Sequence, residues 1–297
     1  GKTTLILSIA KELSSRNILQ ITYNKSLKFE VREKTRDMGI ENLTIHTYHS
    51  LAVCYYSGSA HVDNEIKKIV DNNMKPSRTI PTYDMLVIDE AQDMTLLYYQ
   101  LIVKFAKDIG SPIQLLVLGD YMQGLYEFKG SDIRFLTMAE VIWKQHPSLR
   151  TQQFQKCTMK MSYRITNQMS KFVNNALLGE PRMDACRDDG PVHYIRNSRY
   201  NLERIVCAEI NKLFDMGVKP NDIFVLGPSV KGERSNIRKL ENMLVEKNIP
   251  CHVPMLENTD IDQRIIDGKI VFSTFHCVKG RQRKYVFVVG FDNSYFK

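Results

Sequence analysis

Two stretches of this 297-residue chain each place carboxylates and an amide directly after a short apolar run. Met85-Leu-Val-Ile leads into Asp89-Glu90-Ala91-Gln92-Asp93, and Leu115-Leu-Val-Leu leads into Gly119-Asp120-Tyr121-Met122-Gln123. Paired carboxylates at the end of a strand suit phosphoryl chemistry. Asp89 is placed to hold Mg²⁺, directly or through its water shell, and Glu90 to orient and deprotonate an attacking water. Gln123 offers a neutral hydrogen bond to a terminal phosphate or to that water. An acidic first helical turn, favoured by the helix dipole, would explain the charge after residue 88. It would not explain four polar residues in five immediately after a buried strand. A third stretch, Gly1-Lys2-Thr3-Thr4 running into Leu5-Ile6-Leu7, has the form of the end of a phosphate-binding loop entering its helix. In such a loop backbone N–H groups cradle phosphate oxygens, Lys2 neutralises the β and γ phosphates, and the Thr3 hydroxyl binds Mg²⁺. Taken alone, four residues are better read as a lysine in a terminal turn.

The elements that must carry these residues show in the hydrophobic pattern. Apolar runs at 18–23, 43–47, 85–88, 113–118, 223–226, 270–274 and 285–289 are rich in Val, Ile and Leu without strict alternation, as in strands buried on both faces of a parallel sheet. Helical stretches are expected at 3–15, 97–109, 167–178, 202–216 and 235–247, the last on the spacing of Ile237, Leu240, Met243 and Leu244. Alternating strands and helices predict an α/β fold of layered parallel sheets. The series pauses in the polar, Pro147-bearing stretch 143–155, which predicts two domains, 1–150 and 151–297. In open parallel sheets ligands bind beyond the carboxyl ends of the strands. The unusual polar residues fall there: Thr22, Asn24, His49, Asp89, Glu90, Gly119, Asp120, Arg164, Thr274 and His276.

Composition narrows the class. Apolar residues make up 43% and charged residues 25%, as in a soluble globular chain, and no run of eighteen apolar residues points to a membrane span. Six scattered cysteines without a C-x-x-C pair exclude the usual zinc patterns and predict a reducing, intracellular compartment. A net charge of +8 is compatible with a polyanionic partner. Leu125-Tyr126-Glu127-Phe128-Lys129-Gly130 interleaves aromatics with a cation, a pattern suited to stacking bases, although an aromatic pair is more often core. Basic runs at Lys25, Lys28, Arg32, Lys34 and Arg36, and at Lys279, Arg281, Arg283 and Lys284, suit either a solvated face or phosphate contact.

In order and spacing, GKTT (1–4), TYNKSL (22–27), HTYHSL (46–51), VIDEAQD (87–93), GDYMQGLYEFKG (119–130), SYR (162–164) and TFHCVKG (274–280) resemble superfamily I DNA helicases of the UvrD, Rep and PcrA type. The resemblance covers most of the chain except 52–80 and 180–220. It implies two RecA-like P-loop NTPase domains, with ATP and Mg²⁺ between them and single-stranded DNA as partner. On the nucleotide side it assigns Gly1, Lys2, Thr3, Thr4, Asp89, Glu90 and Gln123, with Tyr163 stacking on adenine and Arg164 reaching the γ phosphate from the second domain. On the strand side it assigns Tyr23, Thr47, His49, Tyr126, Phe128, Thr274 and His276. Phe128 stands where many members have Trp, a smaller stacking face.

Departures from the family pattern set further expectations. The phosphate loop lacks its first glycine, the upstream adenine-reading glutamine is missing, and no final arginine-bearing motif follows. The chain therefore reads as an internal fragment with weak ATPase activity or none. Arg281 and Gln282 replace the family's Leu-Glu, so the ribose contact falls to Gln282. The intervals 50–89 and 164–274 are short against the inserted subdomains of bacterial relatives, which bears on unwinding more than on translocation. The resemblance favours ATP-driven 3′→5′ movement on DNA. An RNA-directed helicase, a nucleotide-gated single-strand binding module, and a P-loop ATPase unrelated to nucleic acid remain as alternatives.

Overall fold

The computed structural model describes residues 1–23, 25–150, 154–196, 201–230, 236–254 and 263–290. Asn24, Ser235 and residues 151–153 of the expected boundary lie outside the described residues. The chain divides into two compact units, Gly1–Val192 and His193–Lys297.

The first unit begins with α1 (Lys2–Glu12), β1 (Ile18–Thr22), α2 (Lys25–Asp37), β2 (Leu43–Thr47), α3 (Tyr48–Tyr55), α4 (Asp63–Asp71), β3 (Met85–Ile88), α5 (Leu96–Ile109) and β4 (Ile113–Val117). Short helices α6 (Arg134–Thr137) and α7 (Ala139–Trp143) lead to β5 (Leu149–Arg150). The five strands form one parallel sheet in the order β2-β1-β3-β4-β5. Alternate residues of the central strands feed two cores. Ile18, Met85 and Val87 pack with Ile6, Leu7 and Ala10 of α1 and Val31 of α2, while Leu19, Ile21, Leu86 and Ile88 pack with α3, α4 and α5. Burial of both faces removes the alternation of a one-sided sheet, which is why the strands read as continuous apolar runs.

The expected break at 150 is occupied by core structure. Trp143 is fully buried, its Nε1–H donates to the Phe135 carbonyl at 3.1 Å, and Phe154 packs against the same core. Beyond it, β6 (Met161–Ser162), α8 (Asn167–Phe172), a π-helical turn (Val173–Leu178) and β7 (Asp184–Ala185) stay with the first unit, β6 and β7 pairing in parallel. The division accordingly falls after Val192. Tyr163 and Arg164, expected in the second domain, belong to the first unit.

The second unit holds α9 (Leu202–Asp215), β8 (Ile223–Gly227), α10 (Asn236–Val245), β9 (Cys251–His252), α11 (Gln263–Ile266), β10 (Ile270–Thr274) and β11 (Tyr285–Val288). Its strands are also parallel, in the order β11-β8-β10-β9. Val206 and Ile210 of α9 and Ile237, Leu240 and Leu244 of α10 cover one face. β11 departs from the two-sided burial expected of it: it lies at the sheet edge with Val286 and Val288 exposed. No helix among the described residues is long and apolar enough to cross a membrane.

Candidate active site

β3 is buried at all four positions and carries the chain straight to Asp89, which is 1% exposed. Asp89 Oδ2 accepts a hydrogen bond from Gln20 Nε2 of β1 at 3.2 Å, and Oδ1 accepts one from the Glu90 backbone N–H at 3.0 Å. Both donors are neutral. Burial, reinforced by the adjacent Glu90 charge, pushes the Asp89 carboxyl up to about 6 against the opposing pull of Lys2. This is a buried carboxylate short of positive charge, and a divalent cation fits that deficit.

Glu90 adopts the left-handed backbone region, φ 55° and ψ 44°, which is costly for a residue with a side chain and clusters at functional sites. The turn sends the chain into the 3₁₀ segment Ala91–Asp93. Glu90 Oε2 lies 2.6 Å from Lys2 Nζ at the start of α1, and accepts from Gln92 Nε2 at 2.5 Å. The other end of the Gln92 amide, Oε1, accepts the Asp120 backbone N–H at 3.0 Å. Gly119 makes this approach feasible: a Cβ there would sit 2.5 Å from Gln92 Oε1 and 2.7 Å from Leu136 Cδ2. Asp120 Oδ1 accepts the Met122 N–H at 3.1 Å, and Oδ2 accepts from Gln123 Nε2 at 2.8 Å. A continuous polar chain thus runs Lys2–Glu90–Gln92–Asp120–Gln123 across the carboxyl ends of β3 and β4. Gly1 caps α1, Thr3 is half-buried in its first turn, and Gly1 and Thr4 are exposed.

Beside this chain lies a graded set of aromatic rings. Tyr48 and Tyr98 stack at 4.3 Å in the interior, Tyr23 meets Tyr98 edge-on at 6.2 Å, and Tyr126 stacks on Tyr23 at 5.6 Å. Phe128 follows at 6.3 Å from Tyr126 and is 69% exposed. Lys129 Nζ stands over both outer rings, 5.2 Å from Tyr126 and 5.7 Å from Phe128. His49 Nε2 lies 3.0 Å from Asp63 Oδ1, which also accepts the Tyr98 hydroxyl at 2.8 Å. Thr47 is buried and its hydroxyl caps α3, accepting the Ser50 N–H at 3.2 Å while Ser50 Oγ accepts the Thr47 N–H at 2.8 Å.

The structure therefore brings Lys2, Asp89, Glu90 and Gln123 together, with Tyr23, Tyr126 and Phe128 forming a second group in the same unit. Tyr163 and Arg164 are exposed on the turn between β6 and α8, where Ser162 Oγ accepts the Arg164 N–H at 3.3 Å. Thr274, His276 and Gln282 belong to the second unit. Thr274 ends β10 buried, its hydroxyl donating to Cys277 Sγ at 3.3 Å; His276 is half-buried and Gln282 exposed.

The AAA domain family matches residues 1–129, the span that holds both first-unit groups. Over 180 residues, 57% of this chain, the sequence is 28% identical to a Mycobacterium bovis protein named ATP-dependent DNA helicase UvrD1. It matches proteins of the same name from two Mycobacterium tuberculosis strains to the same degree. Over this stretch the chain is similar to UvrD1 helicases. The matched stretch covers 22% of the length of each of these relatives.

Three further polar residues matter to the site without having been assigned a role from sequence. Gln20 is a fully buried amide inside the apolar run of β1, and that interruption was the available signal. Gln92 sits within the acidic motif and bridges Glu90 to Asp120. Arg182 pairs with Asp120 Oδ1 and lies 4.2 Å from the centre of the Tyr121 ring. Nothing in the pattern around Arg182 marks it out.

Proposed function

We propose that this chain carries the ATP-hydrolysing core of a DNA helicase that moves along single-stranded DNA, 3′→5′ by the resemblance of its motifs. The observation that carries the reading is the continuous polar chain from Lys2 through Glu90 and Gln92 to Asp120 and Gln123. It joins a cation at a helix N-terminus, a general base and a neutral sensor. Those are the parts phosphoryl transfer needs, because positioning and charge stabilisation supply most of its catalysis.

In this reading the N-terminus of α1, with Lys2, receives the phosphates of ATP. Glu90 takes a proton from the attacking water, and Gln123 orients that water or the terminal phosphate. Thr3 and Asp89 would hold Mg²⁺, which supplies neutralisation of charge on the phosphate oxygens. Tyr163 offers an aromatic face to the base, Gln282 a hydrogen bond to the ribose, and Arg164 positive charge for the transition state. The rings of Tyr23, Tyr126 and Phe128 offer a sequence-tolerant surface for bases, with His49 in the same unit; Thr274 and His276 of the second unit are further candidates for strand contact. Thr47 contributes as the cap that fixes α3 and with it His49.

Phosphate release by the full-length parent protein, with and without single-stranded DNA and beside a Glu90→Gln variant, tests the assignment. We expect stimulation by DNA and a loss of about 10²–10⁴ in turnover in the variant, with nucleotide binding retained. Equal turnover in the two proteins would overturn the catalytic role of Glu90. Equal stimulation by RNA of the same length would overturn the preference for DNA.

A further inference from the structure

Asp120 is shared between two demands. Its Oδ2 holds the Gln123 amide, and its Oδ1 holds both the Met122 N–H and the guanidinium of Arg182, 62 residues further along the chain. The guanidinium also stacks over Tyr121, so it grips the 121–123 turn by charge and by ring face together. Arg182 Nη1 is buried without a hydrogen-bond partner among the described residues. An orphaned buried donor persists only where its surroundings hold the group in place.

What holds Arg182 is Asn174, in the π-helical turn Val173–Leu178. Asn174 Oδ1 accepts the backbone N–H groups of Arg182 and Met183, both at 3.2 Å, and its Nδ2 donates to the Met183 carbonyl at 2.8 Å. π-Helical turns are rare and recur at functional sites. Two residues after Arg182 begins β7, and its partner β6 leads directly into Tyr163 and Arg164.

We infer that Arg182 is a positioning residue for Gln123, acting through Asp120, and that Asn174 aims it. The relay couples the segment bearing Tyr163 and Arg164 to the loop bearing the phosphate-facing amide. Its catalytic meaning rests on the function proposed above, but the mechanical link does not. Loss of Arg182 removes the charged partner of Asp120 Oδ1 and leaves the Met122 N–H on that oxygen, so the acceptor that holds Gln123 is less firmly fixed.

Amide hydrogen exchange resolved at single residues reads the relay directly. In Arg182→Ala, exchange at Met122 should rise by about tenfold or more, the factor set by loss of a charge-assisted hydrogen bond. The β4 amides at Leu115–Val117 should stay protected. Asn174→Ala should expose Arg182 and Met183 and speed Met122 as well, a transmitted effect that a purely local packing role would not produce. Arg182→Lys, which keeps charge and loses the planar stack, should fall between. If Arg182→Ala loses β4 protection, the other two variants decide. Wild-type exchange at Met122 in Asn174→Ala and Arg182→Lys would overturn the relay. Addition of ATP with Mg²⁺ should slow Met122 in the wild type and less so in Arg182→Ala. Absence of any nucleotide effect in the wild type, with the variants still speeding Met122, would overturn the nucleotide role of Gln123 and leave the relay standing.

Discussion

Lys2 Nζ and Glu90 Oε2 stand 2.6 Å apart, so the cation suited to a phosphate and the carboxylate suited to a water are each other's counter-ion. Both side chains are largely buried, at 19% and 20% exposure, and so are only partly screened by solvent. Removing Lys2 leaves the Glu90 carboxylate with the neutral Gln92 amide but without this counter-ion. Lys2→Met is expected to destabilise the chain by about 1–3 kcal/mol in urea unfolding, less than for a fully buried pair. Glu90→Gln should cost less than Lys2→Met, since Lys2 can turn towards solvent. The double variant should lose less stability than the sum of the two single losses. Strict additivity would show that the pair is not coupled.

Gly119 is the second sensitive point. A methyl group there has no room unless the Gln92 amide or the Leu136 side chain moves. Gly119→Ala is expected to destabilise the fold by about 1–3 kcal/mol through overpacking. Displacement of Gln92 also breaks the bridge between Glu90 and the Asp120 N–H, so turnover should fall with little change in the affinity for nucleotide. Gly124→Ala is the control, since the nearest atom to its added Cβ is the Tyr121 carbonyl oxygen at 3.4 Å. Unchanged stability in Gly119→Ala would mean that Gln92 is not held where it is described.

How far the fold is legible in sequence depends on what each residue is asked to do. Strands 43–47, 85–88 and 270–274 agree with the structure to the residue; burial of all four positions of 85–88 demands its unbroken apolar run, whereas 43–47 buries His46 and Thr47 among its apolar residues. α2 escapes such a reading: its residues are mostly charged, and among the described side chains Val31 and Thr35 are buried. Two of its cations are tied inward, Lys28 to Ser50 Oγ and Arg32 to the Ile45 carbonyl, both at 3.0 Å, while Lys34 and Arg36 are exposed. The 143–155 stretch has the composition of a linker, yet Trp143 and Phe154 seat it in the core; a few large side chains outweigh many polar neighbours. At the site, Asp89, Glu90, Lys2 and Gln123 were legible because each follows a strand or opens a helix. Arg182 was not, because its partner lies 62 residues away and only the fold brings them together.

Phe128 separates binding from stability cleanly. It is exposed, beside the Tyr126 ring and the Lys129 ammonium. Phe128→Ala should weaken single-stranded DNA binding by about 1–3 kcal/mol, the worth of one stacked base, while leaving the unfolding midpoint within error. Phe128→Trp should tighten binding by offering a larger ring face. Tyr126→Ala should weaken binding and also lower stability, because that ring is half-buried against Tyr23. Fluorescence anisotropy with a labelled oligonucleotide measures the first effect and urea unfolding the second. Undiminished binding in both alanine variants would remove the aromatic set from the strand-binding surface.

The pH dependence of stability contains two opposing contributions that can be separated. Burial raises the Asp89 carboxyl to about 6, so the folded state holds its proton more tightly than the unfolded state does. That contribution is fully present below the ordinary carboxylate range and is lost as pH rises through 6. His46 is the reverse case. Burial, with the Lys28 and Arg32 charges, lowers it to about 4, so its contribution is present above its ordinary value of 6.5 and is lost as pH falls through 4. Each should amount to about 3 kcal/mol across its window, at about 1.4 kcal/mol per pH unit. Between pH 4 and 6.5 they offset, which predicts a flat profile for the wild type. Asp89→Asn should leave the His46 slope exposed, with stability rising with pH, and His46→Gln should leave the Asp89 slope, with stability falling. Urea unfolding followed through Trp143, the single tryptophan, in a chelating buffer at pH 4.5, 5.5 and 6.5 would read both slopes. Parallel profiles in all three proteins would show that neither group titrates with the fold.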